Sequence, residues 1–186
     1  MARVVRIVSL TRAFAVAALA SGAMLAATQA CSGSPDPTAF TEIDAPDFNQ
    51  FKGAGATAGQ AGVSRLLEKR CATLDCHGQV SRPLRIYGQF GLRFVDDGGN
   101  QPGLGATTET EYEANYQSVI GLQPEGIKNV VDGLNPPESI MLLRKPLGLE
   151  RHKGGTVFVT GDDAYQCLTS WLGRQADLAA CGRATQ

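Results

Sequence analysis

Two thiols and an imidazole stand close together in one short segment of the chain. Cys71, Cys76 and His77 form a C-x4-C-H pattern. In the related C-x2-C-H pattern, two cysteine sulfurs form thioethers with the vinyl groups of a haem, and the adjoining histidine ligates the iron. The loop is two residues longer here, a spacing that also occurs in some multihaem cytochromes. The segment therefore has the residue types that covalent haem attachment requires.

Five segments between residues 63 and 175 carry a resemblance to a known family. In chain order they are Cys76-His77-Gly78, Gly91-Leu92-Arg93-Phe94, Ser139 to Pro146, His152-Lys153-Gly154-Gly155, and Tyr165 to Leu172 with Trp171. The set resembles the planctomycete-type cytochrome C domain. That family follows its haem motif with a Gly-Leu-Arg-Leu-like segment, a Ser-x-Leu-Leu-x-Lys-Pro stretch, a His-Gly-Gly-like loop and a final helix containing tryptophan.

The resemblance implies a cofactor and a function. It implies one covalent haem c, attached to Cys71 and Cys76, with His77 as the proximal ligand of the iron. The expected function is that of a monohaem electron carrier whose redox partner proteins are not identified by the sequence. An independent enzyme is not expected, because two histidines in the whole chain do not assemble a Ser-His-acid set and no phosphate-binding glycine loop is present.

Two residues are candidates for the second axial ligand of the iron. Met141 is the only methionine left after residues 1–30, and a thioether ligand would raise the redox potential. It stands in an apolar run, however, where methionine commonly fills a core. His152 fits the family loop better and would give a bis-histidine site of lower potential. We therefore expect His152 to be the distal ligand, with Met141 as the alternative.

Arginines near the C-x4-C-H segment could bind the carboxylates of the haem propionates. Arg82, Arg85 and Arg93 follow it within twenty residues. A guanidinium group matches a carboxylate with two parallel hydrogen bonds. Exposure to solvent is the competing interpretation for each of them.

Two haem-free alternatives use the same residues. In the first, Cys71 and Cys76 form a disulfide, and the protein is a disulfide-stapled surface lipoprotein that acts as a structural or interaction module. In the second, Cys71, Cys76, His77 and His152 hold a zinc ion. The zinc alternative is disfavoured because the adjacent Cys76 and His77 would have difficulty facing one tetrahedral ion.

The remaining two cysteines of the domain favour a disulfide. Cys167 and Cys181 stand fourteen positions apart near the end of the chain. Exported domains of this size use such links, and closing a loop of this length contributes about 3 kcal/mol to stability. We expect Cys167 to pair with Cys181.

The first thirty residues have the composition of a secretory signal peptide. Three arginines precede an alanine-rich apolar run that ends at Gln29-Ala30-Cys31. Cys31 stands where a bacterial lipoprotein would carry its lipid, although Thr28 departs from the usual lipobox. We expect an exported protein, periplasmic or anchored to a membrane through Cys31. Residues 31–62, rich in proline and glycine, are predicted to be a flexible tether.

The folded unit predicted from the sequence spans residues 63–182 and is mainly α-helical. Hydrophobic spacing predicts helices over Val63–Arg70, Glu111–Leu122, Pro136–Leu143 and Asp162–Gly173, with a further short helical segment near residues 176–180. Glycines 88 and 91 interrupt the stretch between the first two helices, which predicts a loop that could include a brief strand. The fold class is therefore a small cytochrome-c-like helical domain with long irregular loops.

Three local signals set the expected helix ends. Ser64 is a suitable N-cap for the first helix. Thr110 and Glu113 have the spacing of a capping box for the second. Acidic residues and Gly173 mark the two ends of the last long helix.

The charge balance argues against nucleic acid as a partner. The chain has 17 basic and 18 acidic residues, and residues 1–30 take away three arginines and no acid. A mildly acidic protein offers little surface for the counterion release that drives binding to phosphate backbones.

Overall fold

The computed structural model describes residues 44–94 and 103–186. Seven α-helices occur in these ranges, and a 3-10 turn at Pro137–Ser139 precedes the fifth. They are α1 Phe48–Lys52, α2 Val63–Cys71, α3 Glu109–Ile120, α4 Pro124–Val131, α5 Met141–Arg144, α6 Asp163–Leu172 and α7 Leu178–Arg183. The predicted leader, Cys31 and residues 31–43 of the predicted tether lie outside the described residues.

The prediction of a mainly helical domain is confirmed. No β-strand occurs in the described ranges, and the part of the loop from Leu84 to Phe94 has no regular structure. The long irregular segments of the described ranges are residues 72–94, after α2, and residues 145–162, between α5 and α6. Among the described helices, none is long and apolar enough to cross a bilayer.

The core is built around α6, with Trp171 at its centre. Asp162 caps this helix by accepting from the Tyr165 amide, and Gly173 follows its last residue, as predicted. Trp171 is fully buried and lies 5.3 Å, between ring centroids, from Phe51 of α1. Its indole N–H donates to the carbonyl of Asp47 at 3.0 Å. Burial of the large aromatic rings therefore joins the two ends of the described chain.

The boundary predicted at Val63 is wrong for residues 44–62, which belong to the folded unit. Phe51 is completely buried, and the backbones of Gly53 and Gly62 pass so closely that a Cβ on Gly62 would lie 2.3 Å from the Gly53 nitrogen. Gly53 also has φ +83°. These glycines serve a tight crossing between α1 and α2, whereas the sequence pattern indicated flexibility.

Two of the predicted caps are shifted. Gly62 is the N-cap of α2, and Ser64 is buried, donating to the Glu68 carboxylate at 2.9 Å. Thr108 and Glu111 form the capping box of α3, two residues before the predicted box. Residues 136–143 divide into the 3-10 turn and α5, and helix α4 was not predicted at all.

The predicted disulfide is present and joins α6 to α7. Cys167 and Cys181 have Cα atoms 4.7 Å apart, and both residues are fully buried. The second of these helices spans Leu178–Arg183, close to the segment expected near residues 176–180. Cross-linking the last helix to the core limits the freedom of the unfolded chain.

Candidate functional site

One cavity of about 700 Å³ brings the predicted site residues together. Cys71, Cys76, His77, Met141 and His152 all line it, although they come from three separate stretches of the chain. Apolar side chains cover most of the remaining wall, among them Leu67, Leu84, Leu122, Leu142, Phe158 and Leu168. A mostly apolar cavity of this size with a few convergent polar groups has the character of a cofactor site.

The C-x4-C-H segment begins at the last residue of α2 and turns back on itself. The His77 amide donates to the Cys71 carbonyl at 2.9 Å, and the Cys76 and Gly78 amides both donate to the Thr73 carbonyl. These hydrogen bonds close residues 72–75 into a tight turn. The longer spacing therefore still places both cysteines and His77 on the same cavity.

Two glycines hold this turn against the following loop. A Cβ on Gly78 would lie 1.8 Å from the Ala72 carbonyl oxygen, and one on Gly91 would lie 2.3 Å from the same atom. The Leu92 amide donates to the Gly78 carbonyl at 2.8 Å. Only glycine permits such close backbone contact at these two positions, which explains why each segment carries one.

Backbone contacts fix the orientation of His77. Its Nδ1 lies 2.8 Å from the Leu84 carbonyl oxygen, which can only accept a hydrogen bond, so the proton belongs on Nδ1. The pKa of His77 is lowered, chiefly because burial disfavours the imidazolium, although the bond to Leu84 opposes this shift. A neutral ring with Nδ1 occupied leaves the Nε2 lone pair for a metal, as in histidine ligands generally.

His152 repeats this arrangement on a different segment. Its Nδ1 faces the Gly155 carbonyl oxygen at 2.9 Å. The rings of His77 and His152 have centroids 6.2 Å apart and planes inclined by 19°. Metal–imidazole bonds are about 2 Å long, so two imidazoles on opposite sides of one ion have centroids about 6 Å apart. The observed centroid separation of 6.2 Å is close to that value.

Both cavity cysteines are free thiols. The structure forms no Cys71–Cys76 disulfide, which the first haem-free alternative requires. Burial raises the pKa of Cys71 to about 12, with a smaller contribution from Cys76. The Cys71 thiol is therefore protonated at neutral pH.

The zinc alternative finds no matching cluster. No three histidine, cysteine or acidic side chains within residues 44–94 and 103–186 are arranged to hold a metal ion. A structural zinc site needs four such ligands in a tetrahedron. A haem iron takes four nitrogens from the porphyrin and needs only one or two ligands from the protein.

Met141 lines the cavity but is less favourably placed in one respect. It is the first residue of α5 and is half-buried, with its amide donating to the Gln123 side chain at 2.5 Å. The parallel approach of a ring to His77 is made by His152. Both distal candidates therefore line the cavity, and His152 is the one whose ring lies nearly parallel to that of His77.

The three arginines that could bind propionates have different environments. Arg82 lines the cavity. Arg85 points away from it and lies over the Tyr87 ring at 4.2 Å. Arg93 has only 2% of its side chain exposed and bonds to Glu111, so its assignment as a propionate partner is wrong. The cations that the sequence reasoning missed are Lys145, Arg151 and Lys153, which also line the cavity.

Comparisons with known proteins assign no family to this chain. No family model, no curated protein and no solved structure matches it. The resemblance to planctomycete-type cytochrome C domains therefore stays a prediction, and the case for a function depends on the site itself.

Proposed function

We propose that this protein is a monohaem c-type electron carrier resembling the planctomycete-type cytochrome C domains. The observation that supports it most strongly is that Cys71, Cys76, His77 and His152 line one cavity, with the two imidazoles 6.2 Å apart. The residues present fit a haem: two thiols for its vinyl groups, two imidazoles for its axial positions and apolar walls for the ring.

Each side chain has a definite task in this proposal. Cys71 and Cys76 anchor the porphyrin, because addition of each S–H across a vinyl group makes a thioether. His77 and His152 ligate through Nε2, and the Leu84 and Gly155 carbonyls hold both rings by their Nδ1 protons. The haem supplies a reversible one-electron change, while the protein excludes water and keeps the ligands in place.

The groups that line the cavity are consistent with an electron carrier. Among the residues that the structure describes, Asp75 is the only acidic one that lines it, and both histidines are used as ligands. Because the two thiols and the two imidazoles of the cavity all serve to hold the haem in this proposal, we assign no independent catalytic activity. We further propose that the protein is exported, and is either periplasmic or anchored to a membrane through Cys31, as its first residues predict.

The experiment that tests the proposal is a haem measurement on protein exported from a host with a cytochrome c maturation system. We expect a reduced α band, a pyridine haemochrome of one haem per chain, and a haem mass retained after acid–acetone extraction. The Cys71→Ala/Cys76→Ala variant should lose the covalent haem. The Cys31→Ser variant, which also loses a thiol, should keep it.

A colourless protein from that host, folded and with Cys71 joined to Cys76 by mass spectrometry, would reject the proposal. That result would instead support the disulfide-stapled lipoprotein. Haem that copurifies with the wild-type protein but is extracted by acid–acetone would keep haem binding and reject covalent attachment.

A further inference from the structure

The charged residues of the cavity are strongly unbalanced. Besides Asp75, its charged lining consists of Arg82, Lys145, Arg151 and Lys153. The chain as a whole has nearly equal numbers of acids and bases, so four cations against one acid at a single cavity is a local concentration. Lys145 lies 3.2 Å from Glu150, a carboxylate that it shares with Arg144. The other three cations form no ion pair among the described residues and remain for a ligand.

Those three cations come from two segments. With its amide oxygen facing Arg82, Gln79 accepts from the guanidinium at 2.9 and 3.3 Å, which steadies Arg82 beside the cavity. Arg151 and Lys153 flank His152 and are exposed. Within the described part of the chain, neither of these two forms an ion pair.

The segment that carries His152 makes few hydrogen bonds to the rest of the domain. Residues 151–156 hydrogen-bond only with one another in the described structure, through His152 and Gly155. The segment is closed at its base, where the Val157 amide donates to the Pro146 carbonyl at 2.8 Å. A loop with exposed hydrogen bonds and little buried surface opens at low free-energy cost.

We propose that the cavity selects a planar ligand with two carboxylates, and that these carboxylates bind Arg82, Arg151 and Lys153 and thereby hold the His152 loop in place. This inference rests on the proposed function, in which the ligand is a haem. Carboxylate bonds to Arg151 and Lys153 supply an anchor on each side of His152. The carboxylates thus contribute to affinity and also to ligation by His152.

The chemistry of the cavity supports this division of labour. Its walls are mainly apolar and suit a porphyrin face, whereas the cations lie where a charged edge can keep contact with water. Guanidinium groups bind carboxylates through paired hydrogen bonds, and these are stronger than bonds between neutral groups. A ligand of the same shape without charge would satisfy the walls and leave the cations without partners.

The test compares two ligands that differ only in charge. The mature Cys71→Ala/Cys76→Ala protein, which binds reversibly, is titrated with iron protoporphyrin IX and with its dimethyl ester. We expect the diacid to bind roughly tenfold or more tightly. The ferric diacid complex should show the low-spin spectrum of two imidazole ligands, and the diester complex should show a larger high-spin fraction.

Substitutions then assign the effect to residues. In the same background, Arg82→Gln and Arg151→Gln/Lys153→Gln should each reduce the preference for the diacid, and the second should also raise the high-spin fraction. Arg85→Gln is the matched control, because Arg85 is close in sequence and does not line the cavity. It should leave both readouts unchanged.

Each outcome decides something. Equal binding of diacid and diester overturns this inference and leaves the proposed function standing. Binding of neither ligand overturns this inference, and the haem measurement on the wild-type protein then decides the proposed function separately. A diacid preference with identical spin states overturns the link between the carboxylates and His152. The two-ligand comparison needs none of the cation variants, so it holds even if one of them fails to fold.

Discussion

The two histidines of the cavity are supported in very different ways. His77 is bonded by its amide to Cys71, by its carbonyl to the Ile86 amide and by its ring to Leu84. The residue after it is pressed between backbone atoms of other segments. His152 bonds only within its own exposed loop.

The fold alone holds His77 in position, whereas in our proposal the position of His152 also depends on the bound ligand. A substitution that disturbs a rigidly held segment lowers the free energy of unfolding, because buried backbone groups lose their hydrogen-bond partners. A loosely held loop can be changed without unfolding the domain. Substitutions near His77 should therefore reduce stability, and those near His152 should alter ligation with little change in stability.

The largest effect is expected at the buried ion pair behind the His77 turn. Arg93 bonds Glu111 through Nε at 2.7 Å and Nη2 at 2.8 Å, and also the Ala106 carbonyl. Arg93→Ala leaves a buried carboxylate without its cation, which should cost about 4 kcal/mol of unfolding free energy. Arg151→Ala, at an exposed arginine, should cost less than about 0.5 kcal/mol. Urea unfolding of the two variants measures both values.

Unfolding of Arg93→Ala at nearly the wild-type urea midpoint would contradict the difference in support between the His77 side and the His152 side. That result would mean that the segment of Gly91 to Phe94 contributes little to the fold. It would also remove the reason to regard the His77 side as the rigid one.

A matched pair of glycine substitutions tests the two sides with the same added methyl group. Gly78→Ala places a Cβ 1.8 Å from the Ala72 oxygen, a backbone atom that cannot rotate away, and should cost about 3 kcal/mol. Gly155→Ala meets nothing within 4 Å and is strained only by its φ of +68°, which should cost about 1 kcal/mol. Equal losses in thermal or urea unfolding would contradict the difference in support.

Signals that operate within a few residues were read correctly from the sequence. Asp162 and Gly173 delimit α6 because a side-chain cap and a terminal glycine act on their own helix. The pairing of Cys167 with Cys181 also followed from a short separation in a chain with few cysteines. The site residues themselves were recognisable because the C-x4-C-H segment and the second histidine are rare features.

Signals that depend on distant residues could not be read in this way. Thr108 and Thr110 both stand three residues before a glutamate, and the choice between them goes with Glu111, which Arg93 holds inside the domain. Helix α4 was hidden by Gly126, whose missing side chain admits Ile140 at close range. The burial of Phe51 depends on Trp171, 120 positions later.

The pH dependence of stability should also mark the His77 side. Burial alone would raise the pKa of Glu111, but hydrogen bonds from Arg93 and from the Thr108 and Phe94 amides outweigh it, so the pKa is lowered. The stabilisation is present above the ordinary glutamate pKa of about 4.3 and is lost as the pH falls through the lowered value. The advantage of wild type over Glu111→Gln should therefore shrink between about pH 5 and pH 3, in urea unfolding at each pH.

Glu68 supplies a control of opposite sign. Burial raises the pKa of its carboxyl, and bonds from Thr107 and Ser64 only partly offset this. Protonation therefore relieves a cost, and wild type should gain on Glu68→Gln as the pH falls. If both comparisons moved in the same direction, the bonds from Arg93 and the two amides would not control the Glu111 charge.

The smallest change in stability, with a clear change in ligation, is expected from Gly154→Ala. The added Cβ would lie 3.1 Å from His152 Cε1, and its three nearest atoms all belong to that ring, so the imidazole must move by a few tenths of an ångström. Unfolding free energy should change by less than about 0.5 kcal/mol. In the haem-loaded protein the high-spin fraction should rise.

The control is the same substitution in a His152→Ala background. It should have no further spectral effect, because the double-mutant cycle isolates the part of the effect that depends on the His152 ring. An equal spectral change in both backgrounds would show that Gly154 acts on the haem environment by another route than the His152 ring.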